Sequence, residues 1–150
     1  MQGFTLFFES EEEDYRGEHS APRKGSGAPL HDLTQVYPDI YELPLATAAR
    51  YYGHGEPHDA EALSIMQRAK GRPSMPVKIY RAVPDLNKEI DKKIKALTMN
   101  AGDWVTTVRN YAATHGRSVL LGNYKIVSKT VKAKDLYTDG NSPYEFGYDP

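Results

Sequence analysis

The stretch Met75-Pro76-Val77-Lys78-Ile79-Tyr80-Arg81-Ala82-Val83 alternates along most of its length with a period of two. A strand turns successive side chains to opposite faces, so Val77, Ile79, Arg81 and Val83 share one face, while Lys78, Tyr80 and Ala82 share the other. Three apolar neighbours mark the first face as the one turned to a core. Arg81 is its odd member. A guanidinium does not give up its charge, so on that face it must snorkel, pair with a carboxylate or meet an anionic ligand.

Outward from this strand, the upstream sequence is helical in short pieces. Ala46 to Tyr52 reads as a helix stopped by Gly53. Pro57 opens a second helix, with Leu63, Met66 and Ala69 at helical spacing, and Gly71 and Pro73 close it. Downstream, Asp85 to Leu97 carries Leu86, Ile90, Ile94 and Leu97 on one stripe and a lysine-rich solvated face opposite. Trp104-Val105-Thr106 is a short strand, after which Thr106 or Thr107 caps a helix running through Tyr111, Ala112 and His115 to Gly116. Tyr124 to Val131 is a further strand, and Asp139-Gly140-Asn141-Ser142 is a turn within the tail. The predicted class is α+β: one domain, its helical N-terminal half packed on a small mixed or antiparallel β core.

Length and composition narrow the function classes. The chain has 150 residues, enough for one core, and a formal charge of -1, which gives no global attraction to nucleic acid or acidic membranes. It has no cysteine, which excludes disulfides, thiolate catalysis and Cys-ligated metals within it. The apolar run Phe4 to Phe8 has no basic flank and is too short to span a bilayer. The expectation is a protein without signal peptide or membrane span, working in cytoplasm. Residues 1–27 read as an irregular arm: Glu9, Glu11, Glu12, Glu13, Asp14 and Glu18 are opposed only by Arg16, and a Pro/Gly/Ser-rich segment follows. Residues 28–150 form the domain. The chain's 11 tyrosines, all but Tyr15 in this domain, bring apolar area with a polar tip, a composition found at binding surfaces.

Phosphate-cradling glycine loops, G-x-S-x-G and paired-His metal motifs are missing. His54 and His58 stand four apart, but Gly55 and Pro57 between them break the helix that would align both on a metal. No metal is expected. What remains is an ordered trio: Tyr80-Arg81-Ala82 on a strand, Trp104-Val105-Thr106-Thr107 at a strand-to-helix junction, and Tyr144-Glu145-Phe146 near the end.

These three segments, in this order, resemble the R-S-E arrangement of mono-ADP-ribosyltransferases. More narrowly, Tyr51-Tyr52-Gly53-His54-Gly55, Asp103-Trp104-Val105-Thr106 and the closing Gly140-Asn141-Ser142-Pro143-Tyr144-Glu145-Phe146-Gly147-Tyr148 are similar to the ADP-ribosyltransferase-like domains of phage and mobile-element polyvalent proteins. The resemblance covers roughly residues 28–150. It implies an NAD-dependent transferase in which Glu145, Arg81 and Thr106 are catalytic. It implies NAD contacts from Arg81, Ala82, Trp104, Thr106, Thr107 and Tyr111. Glu145 would stabilise an oxocarbenium-like transition state, as carboxylates do in glycoside chemistry. Arg81 would hold the pyrophosphate or adjoining ribose as a planar fork, and Thr106 and Thr107 would orient Glu145. The implied partner is a macromolecule of the bacterial host, in host takeover or anti-defence, with a nucleic-acid acceptor also open. Two departures stand out. Val108 ends the hydroxyl triplet, and Pro143 lies two residues before Glu145, where arginine-modifying members carry Glu or Gln. Arginine is therefore not the expected acceptor. Two alternatives stay open: an NAD glycohydrolase, and a non-catalytic module that binds a basic host protein through its acidic arm.

Overall fold

The alternating stretch lies in the longest ladder of the molecule. The computed structural model describes residues 20–85 and 98–150. Among these the chain order is β1 (Ala28–Pro29), α1 (Leu45–Tyr52), α2 (Asp59–Arg68), β2 (Pro76–Pro84), β3 (Trp104–Val105), α3 (Arg109–Val119), β4 (Tyr124–Lys132), a 3-10 turn (Ala133–Asp135), β5 (Leu136–Thr138) and β6 (Phe146–Tyr148). β2 and β4 pair antiparallel from Pro76 opposite Lys132 to Pro84 opposite Tyr124. The short strands make a second antiparallel sheet in the order β1-β5-β6-β3. The chain is thus a small α+β domain with three α-helices and two antiparallel sheets among the described residues. No helix there is long and apolar enough to cross a membrane.

The inward face of β2 is the one its alternation indicates, since Val77, Ile79, Arg81 and Val83 are all buried. Val77 and Ile79 join a core built from Leu63 and Met66 of α2, Leu33 and Ile40 of the irregular segment before α1, and Leu136 and Phe146 of the short strands. Removing one such side chain, Leu63 to Ala for instance, costs about 2–5 kcal/mol in a packed interior. Ala82, on the opposite face, is buried as well, because α3 crosses β2 and β4 and encloses it with Leu120 and Tyr124.

Three boundaries differ from expectation. α2 begins at Asp59 rather than Pro57, because residues 56–59 form a turn, closed by Asp59 N–H on the Glu56 carbonyl, with Pro57 at its second position. α3 does not end at Gly116 but runs to Val119. Gly116 is there for close approach: a Cβ on it would lie 2.4 Å from Cγ of Tyr124, so only glycine lets the helix settle on β4. The packed fold also starts before residue 28. Ala21 and Pro22 are buried, Arg23 to Gly27 form a turn, and the Lys24 N–H donates to Asp149 at 3.1 Å. The acidic run 9–18 and all but the first residue of the amphipathic helix expected over Asp85 to Leu97 lie outside the described residues.

Candidate functional site

The register of the two sheets brings the sequence-predicted trio together. β3 pairs with β6 as Trp104 opposite Gly147 and Val105 opposite Phe146. Thr106 directly follows this paired stretch on one side and Glu145 directly precedes it on the other. Thr106 also bridges to β2: its N–H donates to the Tyr80 carbonyl at 3.0 Å, and the Tyr80 N–H returns a bond of 2.8 Å. Arg81, Thr106 and Glu145 therefore sit at one junction, where the two sheets meet.

Arg81 is paired from within. Its Nη1 donates to Asp103 Oδ2 at 3.0 Å and to the Thr98 carbonyl at 3.1 Å. Asp103 Oδ2 also accepts the Asn100 N–H at 2.8 Å, so a tight turn folds the carboxylate back to the guanidinium. Both side chains are buried, at 7% and 3% exposure. Burial pulls the Arg81 pKa down and Asp103 pulls it up. Where Arg81 was expected to hold a pyrophosphate, its charge is met by a buried carboxylate of the same chain.

Glu145 is different. It is half-buried, and Tyr111, in the first turn of α3, donates its hydroxyl to Oε1 at 2.6 Å. The other carboxylate oxygen makes no hydrogen bond among the described residues. Tyr111 is held in turn by stacking on Tyr144, with ring centroids 4.9 Å apart and planes within 7°. Tyr144 is fully buried and donates its hydroxyl to Asp59 Oδ1. Asp59 Oδ2 accepts the backbone N–H groups of Gly55 at 2.9 Å and Glu56 at 3.1 Å. Burial pushes the Asp59 pKa up, but the Tyr144 hydroxyl and the backbone donors outweigh it and hold the carboxyl below its ordinary range. The segment Tyr51 to Gly55 thereby gains a local reason. A Cβ on Gly53 would lie 2.3 Å from Asp59 Oδ2 and 2.2 Å from the Ala49 carbonyl, so the loop can wrap the carboxylate only with glycine there. The next residue, His54, sets its ring edge against Tyr144 at 6.0 Å.

The remaining candidates divide. Thr106 Oγ1 accepts the Val108 N–H at 3.2 Å, a local turn that launches α3 with Val108 as its N-cap. The group that orients Glu145 is thus Tyr111, and not the Thr106 hydroxyl. Thr107 is buried, and its hydroxyl has no hydrogen-bond partner. Trp104 is half-buried on β3. Ala82 lies on the other side of β2 from Arg81, packed with Leu120 and Tyr124.

Sequence reasoning missed Asp103, Asp59 and Tyr144 as partners, and it missed His115. This histidine follows Tyr111 by four residues on α3, the spacing that puts two side chains on one helix face. That spacing was its signal. Its ring reaches solvent, yet packing lowers its pKa; Glu145 acts to raise it and Arg81 to lower it further. His54 lies in the loop and His58 just before α2, so no helix aligns them, and no group of three His, Asp or Glu among the described residues is arranged for a metal ion.

Chemically, the junction offers one carboxylate with a free oxygen beside a buried cation, an unpartnered hydroxyl and an accessible imidazole. Comparison with protein-family models, with curated proteins and with solved structures found no match.

Proposed function

We propose that the chain is a mono-ADP-ribosyltransferase that uses NAD as substrate and modifies a macromolecule, on a fold of the ADP-ribosyltransferase type. One observation carries this reading: Thr106 directly follows β3 and Glu145 directly precedes β6, at the same end of that strand pair, and Thr106 bridges there to the strand bearing Arg81. Three weak motifs, distant in sequence, come near one junction, which supports the reading that the resemblance implies.

The residues supply a consistent division of labour. Breaking the nicotinamide–ribose bond builds positive charge on the ribose, and a fixed carboxylate lowers the energy of that state. Glu145 is fixed through one oxygen by Tyr111 and keeps the other for a ribose hydroxyl. The unpartnered Thr107 hydroxyl offers a hydrogen bond to the nicotinamide amide or the ribose. Arg81, already paired with Asp103, adds positive potential below the NAD phosphates and contributes less than a bare guanidinium would. The resemblance to phage polyvalent proteins supports a host macromolecule as acceptor.

The test is incubation with labelled NAD and a bacterial lysate, beside Glu145→Gln, following free nicotinamide and label on macromolecules. Label on a discrete species, lost in the variant, supports transfer. Nicotinamide release without label supports glycohydrolysis at the same site. If neither occurs and NAD does not bind, the catalytic reading fails and a binding module on this fold takes its place.

A further inference from the structure

We infer that His115 is the general base of the transfer, accepting the proton of a neutral O–H acceptor, and that this protein therefore modifies hydroxyls rather than guanidinium groups. The inference rests on the transferase reading and adds to it the acceptor class and the residue that activates it.

The argument starts from what Glu145 cannot do. A carboxylate committed to ribose and oxocarbenium is poorly placed to take the acceptor's proton as well, and Pro143, two residues earlier, has no proton-accepting side chain. A second base must come from another element. α3 runs past Glu145, and the bond from Tyr111 to Oε1 fixes which face of the helix is turned to it. His115 lies one turn further along that face, displaced by only about 40° around the axis. Its neighbours Ala112 and Gly116 are buried, but His115 itself keeps access to solvent, as a group that must meet an incoming macromolecule has to.

The charged groups that act on it are Glu145, from the segment before β6, and Arg81, from β2. Their effects oppose each other. With packing added, the imidazole is held below its ordinary pKa and is neutral near pH 7. A neutral imidazole can take a proton from a hydroxyl or from water as the new bond forms. It cannot deprotonate a guanidinium, whose proton is held several pKa units more tightly.

The step balances. The acceptor oxygen bonds to the ribose C1′, and the bond from C1′ to the nicotinamide nitrogen breaks with its electron pair going to that nitrogen, so nicotinamide leaves neutral. The acceptor's proton passes to His115, giving imidazolium, while Glu145 remains a carboxylate throughout.

The experiment measures nicotinamide release from NAD with water as acceptor, and labelling of a lysate, for the wild type, His115→Gln, His115→Ala and Glu145→Gln across pH. General base catalysis is worth about 10²–10⁴-fold, so His115→Gln is expected to lower kcat by at least a hundredfold with little change in KM for NAD. The wild-type rate is expected to fall on the acid side, with a midpoint below the ordinary histidine value, and the variant to lose that limb. Added imidazole is expected to restore part of the His115→Ala rate, which a misfolded variant would not show. Label on macromolecules is expected to resist neutral hydroxylamine, as an O-glycoside does. A His115→Gln protein with wild-type rate and pH profile, beside an inactive Glu145→Gln, overturns the inference and leaves the transferase standing. Hydroxylamine-labile label overturns the acceptor class. Absence of nicotinamide release from the wild type overturns the transferase reading, and the inference with it.

Discussion

Asp59 and Glu145 are each bonded by one member of the stacked Tyr111–Tyr144 pair, and the two ends of that pair are built to opposite purposes. Asp59 is buried and takes three donors: the Tyr144 hydroxyl and the N–H groups of Gly55 and Glu56. Glu145 is half-exposed and takes one, from Tyr111. A carboxylate with all its sites filled has nothing left to offer a ligand, so its work is to hold the loop and Tyr144 in place. One with a filled oxygen and an open one is oriented but unfinished. The Arg81–Asp103 pair belongs with Asp59, since its charges meet each other inside the protein. Closed polar groups thus surround an open one, as expected of a site whose first contacts are held by rigid surroundings.

The largest effects are expected on the closed side. Asp103→Ala leaves a buried guanidinium without its counter-charge, and breaking such pairs from one side costs about 3–5 kcal/mol. Asp59→Ala leaves the buried Tyr144 hydroxyl and the loop N–H groups of Gly55 and Glu56 without their acceptor, with an expected loss of about 3 kcal/mol, given roughly 1–3 for a buried group left unsatisfied and less for the two that can turn to water. Glu145→Gln, at the open end, is expected to change stability by less than about 1 kcal/mol while removing activity. Urea midpoints for the three variants measure this directly. A Glu145→Gln loss as large as that of Asp59→Ala would erase the distinction and make Glu145 a structural partner.

The two ends were not equally legible in the sequence. The period of two in residues 77–83 and the breaker Gly53 are local signals, and they gave β2 and the end of α1. Partnerships were not legible. Asp103 meets Arg81 across 22 residues only because a turn at Asn100 reverses the chain, and Tyr144 meets Asp59 across 85. No periodicity encodes such pairings; they follow from how the two sheets abut. Gly116 was misread for a related reason. Locally it looks like a helix stop, and only the ring of Tyr124 beneath it shows that it serves packing.

A smaller effect separates the ends by pH. Asp59 is held below its ordinary pKa, so its contribution to stability is complete above the unfolded value of about 4 and is lost as pH falls through the lowered folded value. Asp59→Asn lacks this titration, and its deficit relative to the wild type is expected to shrink steadily below pH 4. Tyr144→Phe removes one of the lowering donors at a cost of about 1 kcal/mol near neutrality, and its deficit should shrink in the same window. Stability measured from pH 7 down to the acid transition checks both.

The smallest effect discriminates most finely, because structure and ligand pull it in opposite directions. The Thr107 hydroxyl is buried with no partner, and an unsatisfied hydroxyl in an apolar setting is unfavourable. Thr107→Val keeps the shape and removes the polar atom, so the free protein is expected to gain about 0.5–1 kcal/mol, seen as a higher melting temperature. If that hydroxyl waits for NAD, the same variant loses a hydrogen bond in the complex, and NAD binding should weaken about five- to tenfold. A gain in stability without loss of NAD affinity would make Thr107 a mere packing residue and narrow the site to Glu145 and its tyrosine. A gain paired with a loss would show that the junction is left incomplete at two places, the open oxygen of Glu145 and the hydroxyl of Thr107, with one ligand to complete both.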